Sequence, residues 1–167
     1  GNLTVTSTAT PSSGSAISLA GINAGAVSLT GAGDVSVSAA VNATSVNAKS
    51  SAGDVIGTAT INITGKVDAS VAGADLTLTA LNGAITIGGA VGSSTTAMGD
   101  LIASGNTSFT ASGAVTVNAL NLNTSTTFGT SISFAEAVKV TGASGAVVTS
   151  TGTGTISFAK TIEATNV

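Results

Sequence analysis

The residues of this chain with most chemistry to offer are its seven carboxylates: Asp34, Asp54, Asp68, Asp75, Asp100, Glu136 and Glu163. Paired acids cleave glycosidic bonds, and clustered acids hold hard cations. Here they are strewn singly along 167 residues, so any pairing has to come from the fold. Asp34 and Asp54 each follow a glycine, and coils of about 20 residues would stack one on the other. Two carboxylates about 5 Å apart repel unless a cation or hydrogen bonds lie between them. A bridging Ca²⁺ is the metal reading of this pair, but two carboxylates undersupply the oxygens such an ion takes. Solvated turn acids are the simpler reading.

The rest of the inventory argues against an enzyme. His, Cys, Trp and Tyr are absent, and the four cationic residues are all lysines: Lys49, Lys66, Lys139 and Lys160. That removes the usual general base, the thiol nucleophile and the guanidinium clamp. Ser-Lys chemistry survives only at Lys49-Ser50-Ser51, which reads more simply as a polar turn. No cofactor is expected. Four lysines cannot track a phosphate backbone, so no nucleic-acid partner is expected either. No apolar run approaches the 18 or so residues of a membrane helix.

Other polar patterns suggest surfaces rather than active sites. Thr58/Thr60 and Thr77/Thr79 are Thr-x-Thr pairs of the kind an ice-binding ladder would present. Equivalent places elsewhere hold Ser36/Ser38 and Thr116/Asn118, so the ladder is not sustained. Five Asn-x-Ser/Thr sequons begin at Asn2, Asn42, Asn62, Asn106 and Asn123, as a chain this rich in Asn, Ser and Thr produces by chance. The aromatics number four (Phe109, Phe128, Phe134 and Phe158) and are expected in the core rather than in a glycan platform.

The elements that must position these residues are short strands. Charged residues are 7% of the chain, against about 25% in ordinary domains. The hydrophobic fraction of 43% excludes charge-driven disorder. Apolar-polar-apolar triplets recur throughout, among them Leu3-Thr4-Val5, Ile17-Ser18-Leu19, Val35-Ser36-Val37, Ile61-Asn62-Ile63, Ile85-Thr86-Ile87 and Val138-Lys139-Val140. Each predicts a strand with one buried face. Many follow a glycine, as at Gly25, Gly33, Gly73, Gly83 and Gly113, where a tight corner starts the next strand.

A longer period, of about 20 residues, lies above the alternation. Rows of that length align Gly33, Gly53, Gly73 and Gly113. They also align Val41, Ile61, Leu81 and Leu101, and beside these Asn42, Asn62 and Asn82. Such columns predict stacked coils, with an aliphatic core column and a ladder of Asn amides. Toward the C-terminus the spacing lengthens: Ser131-Ile-Ser-Phe134-Ala-Glu136-Ala-Val138 resembles Thr155-Ile-Ser-Phe158-Ala-Lys160-Thr-Ile162 at an offset of 24. Stacking these segments places Phe134 on Phe158 and Glu136 opposite Lys160. The expected fold is therefore all-β, a single parallel β-solenoid over residues 1–167. It would have about eight coils of about 20 residues each. Residues 1–14 form an irregular start and the coils lengthen from about residue 124. An antiparallel sandwich also fits turns at roughly every 8 to 12 residues. Its core, however, wants larger aromatics, and it yields no column at the coil period.

Units such as Gly25-Ala-Val-Ser-Leu-Thr-Gly-Ala-Gly-Asp-Val-Ser-Val-Ser-Ala-Ala40 and Gly73-Ala-Asp-Leu-Thr-Leu-Thr-Ala-Leu-Asn-Gly-Ala-Ile-Thr-Ile87 resemble the degenerate repeats of filamentous haemagglutinin-like exoproteins and of autotransporter passenger domains. The resemblance runs along essentially the whole chain on a loose motif: a glycine, two alternating aliphatics and small polar residues. It implies a right-handed parallel β-helix, secreted from or displayed on a Gram-negative cell. The family's secretion-signal domain is not recognisable here.

The functional expectation is a rigid shaft or spacer of a secreted or surface-displayed bacterial adhesin. Neither end reads as a charged or helical cap: Leu3 and Val5 lie at one, Ile162 and Val167 at the other. Neighbouring repeats of a longer chain, or other copies stacked head to tail as a fibre, are the expected partners. A host or cell-surface glycan, or ice, is the third reading. The chain opens on Gly1 with no charged-then-apolar leader, which suggests a processed chain or a segment of a longer one.

Overall fold

A computed structural model describes residues 1–8, 16–32, 34–38, 41–43, 45–50, 60–69, 73–80, 83–93, 98–105, 108–124, 131–142, 146–150 and 154–165. Among them the regular structure is entirely strand, and the strand pairings are parallel. The chain visits three faces in turn. The first circuit supplies β1 (Leu3–Ser7), β2 (Ile17–Leu19) and β3 (Ile22–Asn23); the second supplies β4 (Ala26–Gly31), β5 (Val35–Val37) and β6 (Val41–Ala43). Next come β7 (Ser45–Ser50), β8 (Ile61–Ile63) and β9 (Val67–Ala69), then β10 (Leu76–Ala80) and β11 (Ile85–Ile87), with Val91 bridging on the third face. β12 (Met98–Gly105), β13 (Ser108–Ala111) and the long β14 (Val115–Thr124) follow. The last strands are β15 (Ser131–Phe134), β16 (Val138–Val140), β17 (Ala146–Ser150), β18 (Ile156–Phe158) and β19 (Ile162–Ala164).

This is a parallel β-solenoid. Its second face is a seven-stranded sheet in the order β18-β15-β13-β11-β8-β5-β2. The first face runs β1-β4-β7-β10-β12-β14 and joins the later third-face strands because β14 turns the corner between them. Its first half pairs with β16, and its second half with β17.

Alternation decides which side chains fill the interior. On the second face Val35, Ile61, Ile85, Phe109 and Ile132 stack in one inward column, with Val37, Ile63, Ile87, Ala111 and Phe134 in the next. The third face contributes Ile22, Val41, Val67, Val91, Val115 and Val138, all buried and all β-branched. Branched side chains suit such columns because each packs on its counterpart one rung away. The residues between them point outward, which gives the second face a column of Ser18, Ser36, Asn62, Thr86, Thr110, Ser133 and Ser157.

The register corrects the expected pitch. Val41 pairs with Ile22 and Val67 on the third face, whereas Ile61 pairs with Val35 and Ile85 on the second. Leu101 sits on the first face between Leu76 and Leu120. Vertical neighbours on the second face mostly repeat at the interval from Ile61 to Ile85 and from Ile85 to Phe109. The step is shorter from Ile17 to Val35 and a little longer from Val35 to Ile61. The expectation of about eight coils is accordingly not reached, the second face holding seven strands among the described residues.

The corners explain the true spacing. After every second-face strand except β2, where the step from Leu19 to Ile22 is one residue shorter, the chain turns to the third face over a fixed interval: Ile63 to Val67, Ile87 to Val91, Ala111 to Val115, and Phe134 to Val138. At this corner Gly65, Gly89 and Gly113 recur one rung apart and stack on one another. A Cβ on Gly89 would collide with the Lys66 nitrogen and stand 2.5 Å from the Gly65 carbonyl carbon, and one on Gly113 would collide with the carbonyl carbon of Gly89. Only glycine allows backbones to approach this closely. The connection from the first face to the second varies instead, from Gly31–Val35 to Ser50–Ile61.

Candidate functional site

Among the described residues the carboxylates form no cluster of three or more, and Asp34 and Asp75 are each used singly. Asp34, immediately before β5, accepts a hydrogen bond from the Thr60 backbone N–H through Oδ1 at 2.8 Å. Asp75, immediately before β10, accepts one from the Asp100 N–H at 2.9 Å. Asn2, immediately before β1, accepts one from the Ala26 N–H at 3.0 Å. The three bonds share one geometry: an Asp or Asn at a corner clips the backbone of the next circuit, 24 to 26 residues on. The corner needs such a clip because the chain bends there and its N–H leaves the regular ladder. Sequence reasoning missed this role. The signal available to it was an Asp or Asn directly before an aliphatic triplet.

Hydroxyls make a second set of vertical ties. The Oγ1 atoms of Thr64, Thr141 and Thr165 donate to the carbonyls of Val37, Val117 and Val140 at 3.4, 3.3 and 3.4 Å. The backbone N–H groups of the same residues donate to the same oxygens at 3.0, 2.9 and 3.0 Å. Ser38 repeats the arrangement on Leu19. These Ser and Thr residues each follow a strand, where the chain turns.

Among the described residues two ion pairs lie on the third face. Lys66 Nζ meets Asp68 Oδ2 at 3.0 Å, and Lys139 Nζ meets Glu163 Oε2 at 4.0 Å across β16 and β19. Both lysines are well exposed, so each pair adds little stability. The expected facing of Glu136 and Lys160 forms no ion pair among the described residues; the cross-rung pair is Lys139–Glu163, because both of those residues lie within paired strands. Asp68 Oδ1 is buried and has no hydrogen-bond partner.

The remaining candidates separate in the same way. Asp54, Leu81, Asn82, Phe128 and Val167, together with Thr58, Asn106 and Ser51, fall outside the described residues. Asn42 and Asn62 occupy different faces: Asn42 lies between Asn23 and Asp68, and Asn62 between Ser36 and Thr86. The expected Asn ladder therefore does not form from these two. Thr77 and Thr79 have Asn47 and Lys49 on one side and Ile102 and Ser104 on the other, so the Thr pair is confined to one rung. Lys49 and Ser50 belong to β7, where they pair with Thr30 and Gly31.

Phe134 and Phe158 pair across β15 and β18, with ring centroids 4.9 Å apart and planes parallel to within 1°. Phe109 joins from the next rung at 5.5 Å, tilted by 47°. Phe109 and Phe134 are buried and Phe158 is half-buried, so the column belongs to the core. Among the described residues no group of three or more His, Cys, Asp or Glu side chains could hold a metal ion. Among the same residues no helix is long and apolar enough to cross a membrane.

No protein-family model, curated protein or solved structure matches this chain.

Proposed function

We propose that the chain is a structural shaft or spacer of a secreted or surface-displayed bacterial adhesin, and that it performs no catalysis. The observation that supports this best is the use made of its polar side chains. Asp34, Asp75 and Asn2 each bind the backbone of the neighbouring circuit, and the hydroxyls of Thr64, Thr141 and Thr165 do the same. Groups committed to holding rungs together are not free for a substrate, and they stiffen the long axis, which is what a spacer requires. Seven rungs, six strand spacings from first to last, span about 29 Å.

The resemblance to filamentous haemagglutinin-like and autotransporter repeats supports an extracellular place and a right-handed winding, the usual hand of parallel crossovers. Neighbouring repeats of a longer chain are the natural partners of a shaft segment. The test is binding of the purified chain to a glycan array and to host-cell surfaces. A spacer gives no saturable signal, whereas saturable binding abolished by substitutions on the outward Thr86 and Thr110 column would move the function to that face.

A further inference from the structure

We propose that the third face is a docking surface for a second copy of this chain, with the two solenoids side by side, parallel and in register about a shared two-fold axis. The outward column of the second face, from Ser18 to Ser157, carries no charge. Charged side chains gather instead on the third face and on the corner that leads into it. Lys66 at the corner and Asp68 in β9 share one rung; Glu136 at the corner and Lys139 in β16 share another; Lys160 and Glu163 in β19 share the next. Each of these rungs holds one sign at the corner and the opposite sign within the strand. Rotation about the long axis keeps every rung at its level and exchanges those two positions. Lys66 then meets Asp68 of the second copy, Glu136 meets its Lys139, and Lys160 meets its Glu163.

The surface between these charges is low. Ala90, Ala114 and Ala137 lie between the two charged columns, and Gly92 and Thr116 stand between Asp68 and Lys139 in the column of the strands. No long side chain there holds two packed sheets apart. The pairs made within one copy, Lys66–Asp68 and Lys139–Glu163, have exposed lysines, so exchanging them for pairs between copies costs little. Charge selects the occupant: a face whose signs are inverted by its own rotation fits a copy of itself, an isologous contact. Charge also sets the register. A slip of one rung brings Glu136 against Glu163 of the second copy and Lys139 against its Lys160, like on like. An antiparallel copy, turned about the strand direction, cannot match all three rungs, because a rung that faces itself sets like on like. The contact runs along the side of the stack and leaves the shaft reading unchanged.

The experiment uses the absence of native cysteine. Ala137 is exposed and lies beside the proposed two-fold axis, so Ala137→Cys supplies one thiol per copy at the centre of the contact. Packed sheets lie about 10 Å apart, within reach of a short bismaleimide. The proposal expects the Ala137→Cys chain to cross-link into a dimer at low ionic strength, with a yield that falls as salt is added. In that background Glu136→Lys makes its rung doubly positive and Lys139→Glu makes it doubly negative. Both positions are exposed, and circular dichroism checks that the fold is kept. Either chain alone should lose most of the dimer, and an equal mixture of the two should regain it. A thiol that yields no dimer, or a dimer indifferent to both substitutions, would overturn the proposal. So would loss without recovery on mixing, which marks an antiparallel contact: there this rung faces a different rung, and mixing restores nothing.

Discussion

At the scale of single residues, the side chains of Asn2, Asp34, Asp75, Thr64, Thr141 and Thr165 bind the backbone of a neighbouring circuit. Asp34 carries the clearest prediction. Removing its carboxylate in Asp34→Ala leaves the part-buried Thr60 N–H without an acceptor and should cost about 1–3 kcal/mol in denaturant unfolding. Asp34→Asn keeps the Oδ1 acceptor and should cost clearly less. If Asp34 were instead a cation ligand, calcium would raise the melting temperature and a chelator would lower it; the clip predicts no response to either. Gly89 carries a steric prediction. Its Cβ would collide with the backbone of Lys66 and Gly65, which has no flexible end to yield, so Gly89→Ala should lower stability by about 1–3 kcal/mol, measured the same way.

At the scale of elements, the phenylalanine column fixes the order of effects. Phe134 is packed between Phe109 and Phe158, so Phe134→Ala should cost about 3–5 kcal/mol, and Phe158→Ala less because that ring is half-exposed. A double-mutant cycle on the two should show coupling of about 0.5–1.5 kcal/mol from the parallel stack. The triplets that form the strands were readable in the sequence because alternation is local: Ile61-Asn62-Ile63 and Ile85-Thr86-Ile87 are strands where they were expected. The vertical partners were not readable from the shorter pitch. Glycine and small residues are so frequent that they align by accident at several spacings, and the connections between faces vary in length. The dependable signal was a longer unit, an apolar triplet followed after a three-residue corner by Val or Ile. It occurs at Ile61–Val67, Ile85–Val91, Phe109–Val115, Ile132–Val138 and Ile156–Ile162. Only its last two copies are similar enough in sequence to reveal the true interval. The Asp and Asn clips showed only their side-chain half, an Asp or Asn directly before an aliphatic triplet. Each bond joins a side chain to a backbone group 24 to 26 residues away, and a backbone donor leaves no mark on the sequence.

At the scale of the whole molecule, these ties make one continuous stack, and the shaft reading depends on that continuity. In a stack, distance along the axis grows with rung number and with nothing else. The outward column of the second face offers a ruler: Ser18, Thr110, Ser133 and Ser157 lie on one face, separated from Ser18 by four, five and six rungs. Spin labels on Ser18 paired in turn with each of the other three allow pulsed electron resonance to read the axis directly. The solenoid predicts separations of about 19, 24 and 29 Å, rising by one strand spacing per rung. Distances that fail to rise in that order, as an antiparallel sandwich would give, would contradict the stack and the shaft proposed from it.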